Sequence, residues 1–218
     1  MVTQSGCEVM ESGGATRYRT FSSRRQQQLV TAAERKLQES GFYWGPLSGR
    51  EAGALLGPQP PGTFLLRDSA HQQHFFTLSL RTATGTKNLR IDCDSTAFSL
   101  QTDPSSPHNP PRFTCLLQLL QHYMALGPSS SSPSPSSSSP SPSSSSPSPS
   151  SSSPSPSYFI SSGGEKVPLE LLRPLCSSMV SLQHLCRRTL NGHLEACRER
   201  EGLPPPLQDF LQEYDAAI

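Results

Sequence analysis

The chain has 218 residues, a formal net charge of +1 and a hydrophobic content of 33%. The near-neutral charge argues against a general nucleic-acid binder, which should be clearly basic. The low apolar content and 22 prolines indicate that part of the chain has no packed core. No apolar run is long enough to span a membrane and no signal-peptide segment is present, so we expect an intracellular protein without membrane insertion. Its six cysteines are expected to be free thiols.

The N-terminal segment changes from polar to helical in character. Residues 1–16 are polar and glycine-rich and are predicted to be disordered. The next segment, "RYRTFSS", is basic and carries two aromatic residues, and taken alone it is typical of a basic tail. The stretch "QQQLVTAAERKLQES" then places Leu29, Ala33 and Leu37 on one face, which predicts an amphipathic helix that ends at Gly41.

The centre of the chain carries a helix, several strands and a second helix. Ser48 and Glu51 have the spacing of a capping box, which predicts the start of a helix. Extended segments are predicted at 63–67, 74–82, 86–93 and 97–101. The stretch "FTCLLQLLQHYM" predicts a further helix. This order predicts an α+β fold in which a small antiparallel sheet has a helix on each face.

A charged pair follows the apolar run "FLL" of the first predicted strand. Arg67 and Asp68 stand where the strand should still be buried. A buried charge is costly unless another group pairs with it. Two interpretations remain open on these residues alone: the strand ends at Arg67, or Arg67 is a cation held in a pocket for an anion that binds later.

Residues 128–157 are almost entirely serine and proline, with "SSSSPSP" repeated. Such a segment cannot bury a core and is predicted to be a disordered spacer. Phosphorylation of its Ser-Pro sites is an alternative role.

Two helices are predicted after the Ser/Pro segment. "SLQHLCRRTLNGHL" has an apolar stripe at helical spacing, formed by Leu182, Leu185, Cys186, Thr189 and Leu190. "LPPPLQDFLQEY" has proline at the start of a second helix. These helices are too short to hold a core alone, so they are expected to need a partner.

Several stretches carry a resemblance to known domains. "FYWGPLSGREAGALL", "GTFLLRDSAHQQHFFTLSL" and "TKNLRI" resemble a Src-homology-2 (SH2) domain. With "RTFSS", "LQESGFYW" and "SLQHLCRRTL…LPPP", the chain resembles the suppressor of cytokine signalling family. The resemblance implies an α+β fold. The expected SH2 domain has a central antiparallel sheet flanked by two helices. An extra N-terminal helix precedes this domain, and an all-α SOCS box follows it.

The resemblance also implies a division of the chain. The expected parts are a kinase-inhibitory region at 17–28, an extended SH2 helix at 29–41, an SH2 domain at 42–127 that ends at 158–172, and a SOCS box at 173–218.

The resemblance implies a phosphotyrosine-binding site formed by Arg67, Ser69, Lys87 and Arg90. A planar guanidinium at Arg67 suits a bidentate phosphate contact, which answers the question raised by its position. Gly49 stands where many SH2 domains have a second phosphate-binding arginine, and Ala70 stands where close relatives carry serine.

Three further sets of residues are implied by the same resemblance. They are Thr20, Phe21 and Ser22 for inhibition of Janus kinases; Leu182, Cys186 and Leu190 for binding of elongins B and C; and Leu203, Pro204 and Pro206 for contact with a cullin-five-type scaffold. Neither a cofactor nor a metal is expected, since the spacing of His184, Cys186, His193 and Cys197 matches no standard zinc finger.

The implied function is negative feedback on cytokine receptor and Janus kinase–STAT signalling. The protein would bind phosphotyrosine on activated receptors, inhibit the attached kinase and act as the substrate-recognition subunit of an elongin–cullin ubiquitin ligase. It would be cytoplasmic and recruited to the inner face of the plasma membrane. An SH2 adaptor without ligase recruitment is the alternative. An enzyme is not expected, because the chain lacks kinase motifs and a phosphatase-type cysteine loop.

Overall fold

The structure of the chain is a computed structural model. It describes residues 20–103, 109–126, 158–162, 165–197 and 202–218. The disorder predicted for 1–16 and 128–157 lies outside these residues.

Five helices and seven strands form the described part of the chain. The helices are α1 (Arg24–Ser40), α2 (Gly49–Leu56), α3 (Leu116–Ala125), α4 (Leu182–Cys197) and α5 (Pro205–Glu213). The strands are β1 (Thr63–Asp68), β2 (Phe76–Thr82), β3 (Gly85–Cys93), β4 (Phe98–Leu100), β5 (Phe159–Ser162), β6 (Glu165–Pro168) and β7 (Arg173–Pro174). The α+β class expected from the sequence is confirmed.

The central sheet has the strand order β4-β3-β2-β1-β7. Its first four strands are antiparallel neighbours as expected, whereas the short β7 pairs with β1 in parallel. A separate antiparallel pair joins β5 to β6. β2 begins two residues later than the pattern indicated, because the carbonyl of Phe75 accepts a hydrogen bond from the N–H of Ser69 and closes a loop instead.

Helix α1 begins at Arg24, inside the segment expected to be inhibitory. Its N-cap is Ser23, whose hydroxyl accepts a hydrogen bond from the N–H of Gln26. The helix ends as predicted at Gly41, whose φ of +77° is the left-handed conformation that favours glycine. Residues 24–28 of the segment assigned to 17–28 are therefore helical.

The sheet separates two apolar clusters. Alternation along β1 sends Phe64 and Leu66 into the larger cluster, which includes the buried faces of α1 and α3. Leu65 points to the other face, where it packs with Ala52 and Leu56 of α2. Arg67 shares this second face, so the cation emerges beside α2.

The two C-terminal helices and the residues after them pack in part against α1 and the larger apolar cluster. Tyr214 and Ile218, after α5, belong to the larger apolar cluster. Lys36 on α1 forms an ion pair with Asp215 at 2.5 Å, and Arg187 on α4 forms another with Glu39 of α1. The extra N-terminal helix therefore links the central sheet to these helices.

The four cysteines whose side chains are described, Cys93, Cys115, Cys176 and Cys186, are free thiols as expected. Within the described ranges, no helix has the length and apolar character needed to cross a membrane.

Candidate functional site

The candidate site is built around Arg67, near the end of β1, whose residue surface is only 4% exposed. Its Nε donates to Ser79 Oγ at 3.0 Å, and one terminal nitrogen donates to Asn88 Oδ1 at 3.1 Å. The other terminal nitrogen donates to the backbone carbonyl oxygens of Asp68 at 3.0 Å and Leu47 at 3.3 Å. Four separate acceptors therefore hold the guanidinium in one orientation.

All four acceptors of the guanidinium are uncharged groups. Among the described residues, no carboxylate lies within ion-pair distance of Arg67. Burial lowers the pKa of the guanidinium, and the charge of Asp68 acts in the opposite direction. An arginine remains charged at neutral pH in either case, and a buried cation without an anionic partner is costly. The arrangement suits an anion that is supplied from outside the chain.

The strand register decides which other cation shares the face of Arg67. Residues directly opposite each other in a ladder point to the same face. Arg67 pairs with Thr77, and Thr77 pairs with Arg90, so the exposed Arg90 lies on the face of Arg67. Lys87 pairs with Leu80, which belongs to the larger cluster on the opposite face. The structure therefore does not bring Lys87 to this site, contrary to its inclusion in the predicted set.

Asn88 and Ser79 belong to the site but were not singled out from the sequence. They pair directly across β2 and β3, and Ser79 Oγ donates to Asn88 Oδ1 at 2.7 Å. A signal for Asn88 was available, because it precedes Arg90 by two residues and strand side chains alternate. The same counting separates Lys87 from Arg90, because Lys87 precedes Arg90 by three residues, and an odd separation places two side chains on opposite faces of a strand.

Ser69 lies in the loop that follows β1, and it is buried. Its N–H donates to the carbonyl of Phe75 at 3.0 Å, and its Oγ accepts from the N–H of His71 at 3.1 Å. Both contacts fix the start of the loop close to the strand that carries Arg67.

Gly49, the first residue of α2, lies against the guanidinium. A Cβ added there would stand 3.4 Å from a terminal nitrogen of Arg67 and 3.6 Å from Asn88 Nδ2. The helix start is fixed by the predicted capping box, in which Ser48 Oγ accepts from the N–H of Glu51 while the Glu51 carboxylate accepts from the N–H of Ser48. These hydrogen bonds lower the pKa of Glu51. The site is therefore open at the position where many SH2 domains carry an arginine.

The segment from Thr20 to Ser22 lies at the surface, next to the loop between β1 and β2. Thr20 is exposed, and Phe21 is 40% exposed with its ring stacked on Phe75. The N–H and hydroxyl of Ser22 both donate to Gln26 Oε1. The Gln26 amide in turn donates to the carbonyl of Cys93 at 2.8 Å, which fastens the start of α1 to β3.

Helix α4 has its apolar stripe facing outward. Leu182 is 80% exposed, and Leu185, Cys186 and Leu190 are exposed as well. The inner face is polar instead: His184, Arg187 and Asn191 are buried against α1 and α5. The ring of His184 packs edge-on against the ring of Tyr214, with the two ring centroids 4.5 Å apart. A stripe that would normally form a core is thus left available to another protein.

The predicted cullin-contacting stretch lies directly before and within the start of α5. Pro204 is the N-cap residue, and Pro206 lies in the first turn. Backbone N–H groups in the first turn have no acceptor within the helix, so a proline there costs no helical hydrogen bond. The carbonyl of Leu203 accepts a hydrogen bond from the Gln208 side chain at 2.7 Å. Both prolines are exposed.

Comparison with known proteins agrees with this geometry. Residues 42–123 match the model of the SH2 domain, and residues 179–212 match that of the SOCS box. Suppressor of cytokine signaling 3 of Homo sapiens is 53% identical over 205 residues, covering 93% of this chain and 91% of that protein. The protein of the same name from Mus musculus is 57% identical over 208 residues, with the same coverage.

More distant matches were also found. Cytokine-inducible SH2-containing protein of Gallus gallus is 36% identical over 180 residues, covering 82% of this chain and 67% of that protein. The SH2 domain of a CRK/CRKL homologue from Monosiga brevicollis is a structural match with 26% identity and a TM-score of 0.34, covering 39% of this chain and 75% of that one. Identity above one half across nearly the whole chain, with both domains matched, shows that this chain belongs to the suppressor of cytokine signalling family.

Proposed function

We propose that the chain is a negative regulator of cytokine receptor signalling that binds phosphotyrosine on activated receptors. The observation that carries this proposal is Arg67, a buried cation whose hydrogen-bond acceptors among the described residues are all uncharged. A phosphotyrosine brings a charge of about −1.5 to −2 and three acceptor oxygens. Ser69 and Arg90 are the other proposed ligands, with Ser79 and Asn88 orienting the guanidinium.

The segment Thr20–Ser22 is the proposed inhibitor of a receptor-associated Janus kinase. The proposal is supported by the exposed Phe21, since large aromatic side chains at a surface are frequent anchors of protein interfaces. Attachment of α1 to β3 through Gln26 holds this segment on the SH2 domain. Binding of the SH2 domain to a receptor would therefore raise the effective concentration of the segment at the kinase.

The outward stripe of α4 is the proposed docking surface for elongins B and C. An exposed helix with apolar residues at i, i+4 and i+8 suits recognition in a hydrophobic groove. Leu182, Cys186 and Leu190 have this spacing, and Leu203, Pro204 and Pro206 are the proposed contacts for a cullin-five-type scaffold. Together these surfaces would make the chain the substrate-recognition subunit of a ubiquitin ligase.

The phosphotyrosine site is tested by calorimetric titration of the full chain with a phosphotyrosine peptide from an activated cytokine receptor. Wild type should bind and the unphosphorylated peptide should not. Arg67→Lys removes the bidentate contact and should weaken binding by about 2–5 kcal/mol, which abolishes a micromolar interaction. Equal binding by wild type and Arg67→Lys would refute the site.

Lys87→Ala is the matched control for the loss of a positive charge. Because Lys87 lies on the other face of the sheet, this variant should bind nearly as tightly as wild type. A large loss in Lys87→Ala would instead mean that charge near β3 is sufficient, without the geometry of the Arg67 site.

A further inference from the structure

The first turn of α1 carries a buried glutamine, Gln26, whose residue surface is 7% exposed. Burial of a side-chain amide is costly unless its oxygen and its nitrogen both have hydrogen-bond partners. The amide oxygen of Gln26 accepts from the N–H of Ser22 at 2.7 Å and from the Ser22 hydroxyl at 3.0 Å. The amide nitrogen donates to the carbonyl of Cys93 at 2.8 Å. One side chain therefore joins the residue that follows Phe21 to the end of β3.

Two backbone groups fix the orientation of this amide. The N–H of Ser22 can only donate, so it must face the amide oxygen. The carbonyl of Cys93 can only accept, so it must face the amide nitrogen. A rotated amide would place two donors against each other at Ser22 and two acceptors against each other at Cys93. The direction of both hydrogen bonds therefore follows from the backbone alone.

A helix-capping role alone does not account for these contacts. Ser23 is the N-cap residue of α1, and its Oγ accepts from the N–H of Gln26 at 3.1 Å. In a capping box, the side chain at the position of Gln26 accepts in return from the N–H of the N-cap residue itself. Here the side chain contacts Ser22, one residue further from the helix, and also contacts β3. Both contacts lie outside the helix, and together they hold the segment Thr20–Ser22 against the sheet.

We propose that Gln26 is a positioning residue for kinase inhibition, which fixes Ser22 and thereby presents the outer face of the Phe21 ring. This inference rests on the proposed inhibitory function of the segment Thr20–Ser22. One face of the Phe21 ring is stacked on Phe75, and the residue remains 40% exposed. Because Ser22 directly follows Phe21, fixing the backbone of Ser22 limits the positions that the Phe21 ring can reach.

The stacking of Phe21 on Phe75 is too weak to hold the segment by itself. One aromatic pair changes a conformational population by only about two- to tenfold. Without the amide of Gln26, the backbone of Ser22 could leave the surface, and a kinase would have to order it on binding. Ordering the backbone of a single residue lowers an affinity by about tenfold. The amide therefore removes an entropic cost of kinase binding before the kinase arrives.

Amide hydrogen exchange on the full chain tests the contact itself. The N–H of Ser22 should exchange at least about tenfold more slowly in wild type than in Gln26→Met, because methionine is similar in length but has no strong hydrogen-bond acceptor. The N–H groups of Val30 and Leu37, on the buried face of α1, should stay protected in both proteins. Equal exchange at Ser22 would overturn the proposal, and so would a loss of protection along the whole helix.

Gln26→Glu is the conservative variant that should rescue the positioning of Ser22. Its carboxylate can still accept from the N–H and hydroxyl of Ser22, and a negative charge in the first turn of a helix is favourable. It can no longer donate to the carbonyl of Cys93, so a small loss is expected. Gln26→Glu should therefore keep the N–H of Ser22 protected from exchange, unlike Gln26→Met.

Inhibition of a Janus kinase in a peptide phosphorylation assay measures the effect on function. Gln26→Met should need about a tenfold higher concentration for half-inhibition, which corresponds to about 1.4 kcal/mol. Gln26→Glu should stay within about threefold of wild type, because it keeps Ser22 fixed. Gln38→Met, the same change at an exposed position of α1, is the matched control and should inhibit like wild type. Calorimetry should show that all four proteins bind a phosphotyrosine peptide with affinities within about twofold of one another.

Each contrary result has a distinct meaning. Equal inhibition by wild type and Gln26→Met would overturn the positioning role and leave the proposed function intact. Inhibition by Gln26→Glu as weak as that by Gln26→Met would also overturn it, because the contact with Ser22 would then not be the cause. A parallel loss of phosphopeptide affinity would overturn it too, since Gln26 would then support the SH2 domain as a whole. Failure of the wild type to inhibit the kinase would overturn both this inference and the proposed inhibition.

Discussion

Phe21 and Phe75 stack with their ring centroids 5.2 Å apart and their planes only 11° from parallel. The carbonyl of Phe75 accepts the N–H of Ser69, so one residue contacts both the proposed inhibitory segment and the proposed phosphate-binding loop. The two surfaces are therefore adjacent on the molecule. A kinase that packs on Phe21 would also approach the bound receptor peptide.

Removal of Phe21 should separate inhibition from folding. Phe21→Ala loses one partly exposed aromatic pair, which is worth about 0.5–1.5 kcal/mol. The variant should therefore stay folded and bind phosphopeptide, but it should no longer inhibit a Janus kinase in a phosphorylation assay. Gln38→Ala, an exposed position on α1 outside residues 17–28, is the control and should inhibit like wild type. Full inhibition by Phe21→Ala would exclude this side chain as the kinase contact.

A carboxylate introduced beside Arg67 should have opposite effects on stability and affinity. Asn88→Asp places an anion where Arg67 now has a neutral acceptor at 3.1 Å. The new ion pair should raise the urea midpoint of unfolding, because it compensates a buried charge. It should also weaken phosphopeptide binding at least about tenfold, since the same anion repels the phosphate. Asn88→Ala, which adds no charge, should lower stability and weaken binding less. An Asn88→Asp variant that binds as wild type would show that Asn88 lies outside the site.

Two leucines of the C-terminal helices should respond in opposite ways. Leu182 is 80% exposed, so Leu182→Glu should change stability by no more than about 0.5 kcal/mol while abolishing co-purification of elongins. Leu211 is 2% exposed, so Leu211→Ala should cost about 2–5 kcal/mol. Chemical unfolding and elongin capture measure the two effects separately. Normal elongin capture by folded Leu182→Glu would exclude Leu182 as an elongin contact, whereas failure of the wild type to capture elongins would favour the adaptor without ligase recruitment.

His184 should make the chain less stable in acid. Burial lowers its pKa from the ordinary value of 6.5, and the charges of Arg187 and Arg188 lower it further, while Glu39 acts in the opposite direction. The folded state therefore disfavours the protonated ring. The stability that the neutral ring of His184 contributes is fully present above pH 6.5, the pKa in the unfolded chain. This stability is lost as the pH falls from there through the lower pKa of the folded state, because the unfolded chain binds the proton first.

This pH effect is measured by urea unfolding at neutral and mildly acidic pH. His184→Gln should lose less stability on acidification than wild type. Burial lowers the pKa of His122 as well, so His122→Gln provides a comparison with the same sign at a site on α3. An identical acid response in wild type and His184→Gln would show that His184 does not control it.

Local patterns predicted the helices and the antiparallel strands well, because their signals are contained within short stretches. The capping box at Ser48 and the glycine stop at Gly41 are such signals, and both are present in the structure. The short β7 was not predicted, because two residues are too few to show an alternating pattern. Its pairing with β1 also joins residues that are far apart in the sequence. The inner polar face of α4 was also missed, because its partners on α1 and α5 are known only from the tertiary fold.

The site was partly predictable for a related reason. Arg67 stood out because its charge conflicts with the apolar residues around it. Lys87 was included for its charge, although an odd separation from Arg90 places the two on opposite faces of a regular strand. Asn88 carries no charge and was not predicted as a site residue. Its role follows from the register that places it opposite Ser79.

The packing of Tyr214 and Ile218 with α1 has a consequence for how the chain acquires its structure. Val30 and Leu37 belong to the same buried cluster as these residues, which are made nearly a whole chain later. During synthesis, the face of α1 therefore stays incompletely covered until the residues after α5 have left the ribosome. Contacts of such long sequence separation close slowly, because the intervening chain must first be ordered or looped out. A chain stalled before α5 would expose apolar surface on α1, which makes it a substrate for chaperones and proteases rather than a partly active regulator.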